Sequence, residues 1–253
     1  MLESYIRKRL EEKSLLLMTH IVIGHPSLEA SFEIVRTMVA AGVDLMELQI
    51  PFSEPIADGP VILKANQQSL AKGITVKECM DFAKRAAGEF QIPFLLMTYY
   101  NILFKYNVAQ FADDMKAHGV RGAIVPDLPH EEGQAYLAAM ERNELAPIFI
   151  FAPTTNDARM NEIARHADGF VYCVARKGVT GQQTEFSDHL QRYLNRCRQA
   201  TNLPLALGFG VKDRRDIDFL TGKADIAVIG TQTINVFEEK GVEAVGNFIA
   251  GLR

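Results

Sequence analysis

The chain has 253 residues and a hydrophobic content of 48%, which is enough apolar material for one large core or two small ones. Its formal net charge of −4 gives no electrostatic reason to expect binding to nucleic acid or to an anionic membrane. No apolar run approaches the roughly 18 residues of a membrane span, and three widely spaced cysteines predict neither a disulfide framework nor a zinc site, which favours a cytoplasmic location.

The first predicted element is an amphipathic helix at residues 1–13, which lacks the apolar core of a signal peptide. Eight short apolar segments follow, and the stretches between them carry apolar residues at helical spacing. Ser27 is a predicted N-cap, and the segment from Thr75 to Glu78 has the form of a capping box. The predicted strands are residues 15–22, 43–48, 93–97, 122–125, 147–151, 169–173, 204–207 and 225–229. Helical spacing is clearest at residues 108–118, 130–143 and 156–166.

Eight apolar strands that alternate with helices predict parallel β/α units. An open doubly wound sheet is the alternative, but eight regular units in this length favour closure into a barrel. No linker or composition shift divides the chain. We therefore predict one α/β domain over residues 1–253, a single (β/α)8 TIM barrel with an extra N-terminal helix.

The longest step between two predicted strands holds a Pro- and Gly-rich loop, with one acid on the strand before it and a second acid within it. Glu47 lies near the end of the second strand, and Asp58 follows it by eleven residues. Loops that follow the strands form the active site in barrels of this type, so both acids are candidate catalytic residues. The alternative is structural: Glu47 pairs with a barrel lysine or arginine, and Asp58 caps the helix that begins near Pro60.

Two late segments have the features of an anion site. Gly208 to Gly210 follow the seventh strand, and Gly230 with Thr231 follows the eighth, just before a predicted helix. Loops after these strands form the usual phosphate cradle of the architecture, because glycines let an anion reach backbone N–H groups. The segment 178–181, after the sixth strand, is a candidate lid with further donors.

Four other side chains have no single interpretation. Tyr172 lies near the end of the sixth strand. Its hydroxyl either faces the end of the barrel that carries the acids and the glycine segments or forms its hydrogen bond within the core. His20 and His25 lie around the end of the first strand, but their spacing makes a poor metal pair, and packing or capping roles are favoured. Asp127 either anchors a loop or faces the site.

These motifs together carry a family resemblance. The Pro51–Pro60 loop with its upstream acid is the most specific motif, and weaker matches are Asn101 and the segments 127–129, 146–150, 178–181, 208–210 and 229–230. Along nearly its whole length the chain resembles the tryptophan synthase alpha subunit family. The resemblance implies a barrel that cleaves indole-3-glycerol phosphate to indole and glyceraldehyde 3-phosphate in tryptophan biosynthesis. It also implies an alpha2beta2 assembly with a beta subunit that holds pyridoxal phosphate, and no cofactor in this chain.

The resemblance also assigns roles to individual residues. Glu47 matches the general acid/base, Asp58 the second catalytic carboxylate, and Tyr172 the tyrosine beside the substrate. Two acids suit the chemistry, because indole C3 must be protonated before its bond to the glycerol chain breaks. The positions that match substrate and phosphate binding are Thr180, Gly181, Phe209, Gly210, Gly230 and Thr231. Those that match the loop in contact with the beta subunit are Pro51, Phe52, Ser53, Glu54 and Pro55.

Besides Thr231, which stands where the family usually has Ser, the chain departs from the family pattern at five positions. Gln49 stands where the family usually has Gly, Glu54 where it has Asp, and His20 where it has an aromatic residue. His25 and Ala175 replace a usual Asp and a common Ser. No catalytic group is lost, but the pocket and the partner loop are altered. Three alternatives therefore stay open. The first is a free-standing lyase that releases indole, and the second is a weakly active barrel that serves mainly to activate a beta subunit. The third, which Gln49 and His20 leave open, is a barrel of this class that acts on a different phosphorylated substrate.

Overall fold

The computed structural model describes residues 1–175, 188–208 and 210–253. Its eight strands close into a barrel in chain order, and every neighbouring pair is parallel. The strands are β1 (Leu16–Val22), β2 (Leu45–Gln49), β3 (Phe94–Met97), β4 (Gly122–Ile124), β5 (Ala146–Phe151), β6 (Val171–Val174), β7 (Leu205–Gly208) and β8 (Ile226–Ile229). The predicted barrel is confirmed, and each strand lies within about two residues of its predicted bounds. That residues 1–253 form a single domain stays a prediction.

Helices cover the outside of the barrel, and one precedes it. The helix at the N-terminus is the predicted extra element. The predicted caps are also present: Ser27 accepts a hydrogen bond from the N–H of Ala30, and Thr75 forms a capping box with Glu78. The helices are α1 (Leu2–Glu12), α2 (Leu28–Ala40), α3 (Pro60–Ala71), α4 (Val76–Glu89), α5 (Tyr100–Tyr106), α6 (Val108–Ala117), α7 (Gln134–Arg142), α8 (Asp157–Ala164), α9 (Asp188–Ala200), α10 (Arg214–Leu220), α11 (Thr231–Lys240) and α12 (Val242–Gly251). Within the described ranges, none of these is both long enough and apolar enough to cross a membrane.

Alternation along the strands separates the interior of the barrel from its helical coat. Leu16 and Met18 of β1 pack in the interior, whereas Leu17 and Ile21 pack toward the helices. The same period on β2 sends Leu45, Glu47 and Gln49 inward. Polar inward positions therefore occur only near the carboxyl ends of these two strands, which is the end of the barrel where active sites form.

The opposite end of the barrel is closed by α1. Its buried residues Leu2 and Ile6 join the interior cluster of the barrel. The helix is fastened by Asp44, a buried residue just before β2, whose carboxylate binds the Lys13 ammonium at 2.6 Å and the Arg253 guanidinium at 2.6 Å. Burial raises the pKa of Asp44, but hydrogen bonds from Lys13, the Leu17 N–H and Arg253 outweigh it and hold the pKa below its usual value.

Candidate active site

A cavity of about 410 Å³ opens at the carboxyl ends of the strands. This size is typical of a site for a small organic molecule. Its apolar wall includes Ile62, Met97, Ile124 and Ile150, which suits a flat aromatic ligand. The predicted site residues that line it are Glu47, Asp58, Tyr172, Gly210, Gly230 and Thr231. The barrel therefore brings together residues that lie up to 184 positions apart in the sequence.

Glu47 lies on β2 with only 4% of its surface exposed, and its side chain faces the cavity. The parallel register places it directly opposite His20 of β1, and the Glu47 Oε1 atom lies 3.2 Å from His20 Nδ1. The structural alternative expected a lysine or arginine beside Glu47. In the part of the chain that the structure describes, its titratable neighbour is a histidine instead.

Asp58 also faces the cavity, and it does not cap α3. The N-cap of α3 is Gly59, and no side chain caps the helix, which begins with Pro60. The Asp58 carboxylate instead accepts hydrogen bonds from Gln49 Nε2 at 2.6 Å and from Asn66 Nδ2 at 3.4 Å. Burial raises the pKa of Asp58, and the hydrogen bond from Gln49 and the charge of His20 only partly offset this rise.

Tyr172 lies on β6, where it belongs to the interior cluster and also lines the cavity. Burial, followed by the charges of Glu47 and Asp58, raises its pKa well above the usual value, so the phenol stays neutral. Its ring occupies the space over Gly208 of β7. A Cβ atom at position 208 would lie 2.3 Å from the ring Cε1 and 2.6 Å from the hydroxyl. Gly208 is therefore required for the placement of the tyrosine.

The two glycine segments meet at the cavity mouth. Gly210 has a φ of 109°, a backbone conformation that other residues rarely adopt. Gly230 is the N-cap of α11, no side chain caps this helix, and its first residues, Thr231 and Gln232, line the cavity. A helix N-terminus in this position favours the binding of an anion. Lys212 lines the same mouth and adds a cation. The other predicted binding residues, Thr180, Gly181 and Phe209, lie outside the described residues, as does the proposed lid at 178–181.

The loop after β2 connects the cavity to the surface. Phe52 stacks on Tyr99 with 5.1 Å between the ring centroids, and Pro51 and Pro55 are buried. Ser53 and Glu54 are exposed. Two further residues of this region, Ile56 and Phe104, expose 71% and 67% of their surface, although they are large and apolar.

Asn66 is a site residue that the sequence did not reveal. It lies on α3, where its Oδ1 accepts the Phe52 N–H at 2.9 Å and its amide donates to Asp58. It therefore joins the surface loop to a candidate catalytic acid. Nothing in the local pattern of α3 indicates this role. Gln49 and His20, by contrast, occupy inward positions of their strands. The alternation of side chains along a β-strand would therefore have predicted that both face the interior of the barrel.

The remaining open assignments are resolved by their contacts. Asp127 anchors a loop, because its carboxylate accepts the backbone N–H of Tyr100 at 2.9 Å, at the start of α5. His25 is buried, and its Nε2 atom lies 3.6 Å from Glu238 Oε1 on α11. It does not line the main cavity in the described structure. Of the two histidines, only His20 therefore belongs to the site.

The substitution Gly230→Ala tests the proposed phosphate cradle and puts little strain on the backbone. A Cβ at Gly230 would lie 3.5 Å from the His20 Cβ, an ordinary contact, and the φ of Gly230 is −110°. We expect Gly230→Ala to fold normally but to weaken binding of glyceraldehyde 3-phosphate about tenfold, because the methyl group occupies space that the phosphate needs. Titration calorimetry measures the affinity. Gly88→Ala on the exposed face of α4, where a Cβ meets nothing within 4 Å, is the matched control. Equal affinity in both variants would remove Gly230 from the cradle.

Comparison with known proteins agrees with this architecture. A family model described as tryptophan synthase alpha chain matches residues 6–248. The chain is 66% identical over its full length, and over the full length of the relative, to the tryptophan synthase alpha chain of Syntrophotalea carbinolica. It is 63% identical, with full coverage of both chains, to that of Desulforapulum autotrophicum. Among solved structures, one of Mycobacterium tuberculosis tryptophan synthase superposes with a TM-score of 0.93 at 28% identity and covers 99% of this chain and 96% of its own. The chain belongs to the tryptophan synthase alpha chain family.

Proposed function

We infer that the protein is a carbon–carbon lyase that cleaves indole-3-glycerol phosphate to indole and glyceraldehyde 3-phosphate, the alpha reaction of tryptophan biosynthesis. Family membership over residues 6–248 supports this function. The structural observation that carries it is one cavity lined by two acids, an apolar wall and two glycine segments at the anion-binding end of α11. Such a cavity holds an indole ring at the acids and a phosphate at the mouth.

We propose that Glu47 gives a proton to indole C3 and then takes one from the hydroxyl that becomes the aldehyde. The first transfer makes the ring electron-poor, so the bond from C3 to the glycerol chain breaks, and the second completes the aldehyde. Asp58 accepts the indole N1–H and stabilises the positive charge that develops on the ring. Tyr172, a neutral hydroxyl beside Glu47, orients the acid and packs against the substrate.

The direct test is the release of indole from indole-3-glycerol phosphate, measured with and without a tryptophan synthase beta subunit. We expect a low rate from the chain alone and a higher rate with the partner. A high rate without stimulation would favour the free-standing lyase. No release under either condition would overturn the proposed function.

Family membership implies a beta subunit as the partner. We propose that this partner binds at the cavity mouth, over Pro51, Phe52, Ser53, Glu54 and Pro55, in an alpha2beta2 assembly. Support comes from the exposed apolar side chains of Ile56 and Phe104, which follow the neighbouring strands β2 and β3. Large exposed apolar residues are typical of protein interaction sites. Asn66, which bonds both the Phe52 N–H and Asp58, provides a route by which pressure on this loop reaches a catalytic acid.

Phe104 provides a test of this surface. We expect Phe104→Ser to weaken association with the beta subunit about tenfold or more, because a large aromatic side chain that an interface buries usually contributes strongly to binding. The lyase rate of the isolated chain should stay unchanged, since Phe104 does not line the cavity. Association is measured by calorimetry, and the thermal midpoint checks folding. Unchanged association would place the partner on another surface.

We also propose that this chain needs no cofactor of its own, and that pyridoxal phosphate belongs to the beta subunit. The proposed cleavage uses only proton transfers and charge stabilisation, which the carboxylates supply.

We further propose that the protein works in the cytoplasm. Support comes from Cys79, Cys173 and Cys197, which are buried as free thiols, the form that a reducing compartment maintains.

A further inference from the structure

His20 is part of a buried polar cluster that connects the two candidate catalytic acids. Its Nδ1 atom lies 3.2 Å from Glu47 Oε1. Gln49, two residues beyond Glu47 on β2, lies beside the imidazole and donates from Nε2 to Asp58 at 2.6 Å. All four side chains are less than 9% exposed. Glu47, His20, Gln49 and Asp58 thus form one buried polar cluster, and His20, Glu47 and Asp58 of this cluster line the cavity.

Two polar atoms of this cluster, the second ring nitrogen of His20 and the amide oxygen of Gln49, bear on the protonation of His20. Because the Gln49 NH₂ group donates to Asp58, the Gln49 Oε1 atom is left as an acceptor on the other side of the amide. Within the described part of the chain, both His20 Nε2 and Gln49 Oε1 are buried without a hydrogen-bond partner. A doubly protonated imidazole would offer one N–H toward the Glu47 carboxylate and one toward the Gln49 amide. The surroundings therefore suit the cationic form of His20.

The charged groups around His20 act in the same direction. Burial lowers the pKa of His20, but the hydrogen bond and charge of Glu47, followed by the charge of Asp58 and the contact with Gln49, raise it above its usual value. Tyr172, which also contacts Glu47, stays neutral and adds no charge. Among the described residues that line the cavity, the lysine is Lys212, and it is exposed to solvent. The charges that act on His20 are therefore those of Glu47 and Asp58.

We propose that His20 and Glu47 share a single proton, so that His20 keeps Glu47 supplied with the proton that it delivers to indole C3. This proposal rests on the proposed lyase function. In the resting pair the proton lies on either partner, at Glu47 Oε1 or at His20 Nδ1. Delivery to C3 leaves a carboxylate beside a neutral imidazole. The proton that leaves the substrate hydroxyl then returns to the pair, so the cycle neither gains nor loses protons. His20 does not touch the reacting atoms and is a positioning residue.

The first test requires no catalysis. We expect ¹⁵N-detected NMR titration of the histidines to show that His20, identified by its absence in His20→Asn, titrates above the usual value of about 6.5. In Glu47→Gln the partner carboxylate is removed, burial dominates, and the His20 pKa should fall below that value. Equal His20 pKa values in the two proteins would overturn the proposal, whether or not the protein cleaves the substrate.

The second test separates proton sharing from simple orientation. His20→Asn keeps an N–H donor near the position of Nδ1 but cannot titrate. Because a shared proton has two sites, removing one of them makes the pair lose its last proton at lower pH. In the pH profile of the single-turnover cleavage rate, we expect the alkaline limb, where the rate falls as the pH rises, to lie at least about one pH unit lower in His20→Asn. The matched control is His118→Asn, next to α6 at the other end of the barrel, which should leave the limb in place. An unmoved limb in His20→Asn would show that His20 only orients Glu47 and would overturn proton sharing.

Discussion

Replacing Glu47 by Gln is expected to lower the rate of indole-3-glycerol phosphate cleavage by about 10²–10⁴-fold, the usual contribution of general acid–base catalysis. The amide has the size of the acid and can still pack against Tyr172 and His20, but it has no proton to transfer. The fold should survive, because Glu47 makes no ion pair with a lysine or arginine in the described structure.

The measurement is the single-turnover rate at saturating substrate, which reports the chemical step rather than product release. Glu11→Gln, at an exposed position of α1 on the closed end of the barrel, makes the same chemical change away from the cavity and should keep the wild-type rate. If Glu47→Gln were as active as this control, Glu47 would not be the acid, and the assignment of the site would be wrong.

Asp58→Asn is expected to lower kcat by about 10²–10³-fold, the usual effect of removing one group that stabilises developing charge. The carboxylate offers a full negative charge to the electron-poor ring, and its two amide donors, Gln49 and Asn66, fix its position. Asparagine at this position removes that charge. Its NH₂ group would also face the NH₂ group of Gln49 or Asn66, so that two donors oppose each other. The hydrogen bond to N1–H is present in the bound substrate, but the stabilisation of charge grows only as the ring becomes positive, so kcat and kcat/KM should both fall.

The pH dependence of the wild-type rate gives a second measurement on Asp58. This residue acts as a carboxylate, and burial raises its pKa, so activity should be lost as the pH falls through the raised value. Asp58→Asn should remove this acid limb. Asp218→Asn on the exposed face of α10 is the control that should keep both the rate and the limb. An acid limb that persists in Asp58→Asn would belong to another group.

The elements of the barrel were predictable because their signals are local. Ser27 and the Thr75–Glu78 box start helices through contacts within one turn, and the apolar segments behave as strands because both faces of a parallel sheet are buried. The convergence of Glu47, Asp58 and Tyr172 followed from the architecture, since a closed barrel places the ends of its strands around one mouth.

The connections within the site were not predictable in the same way. Asn66 reaches Asp58 and the Phe52 N–H across the loop after β2, and only the distance between two separate segments determines that contact. Asp58 was compatible with a helix cap until its distances to Gln49 and Asn66 were known. The role of His20 was not predictable either, because a histidine at the end of a strand usually packs or caps, whereas here the register with β2 places it against an acid.

The close approach of Gly208 to Tyr172 bears on how this family varies during evolution. The nearest atom to a Cβ at position 208 is the ring Cε1, at 2.3 Å, so phenylalanine in place of Tyr172 would relieve nothing. A chain that acquires a side chain at 208 must give up the aromatic ring at 172, and a chain that keeps the ring is confined to glycine on the neighbouring strand. The two positions should therefore covary as a pair across related sequences, with intermediates that carry only one change depleted by selection. Drift at position 208 is limited by a residue thirty-six positions earlier in the chain.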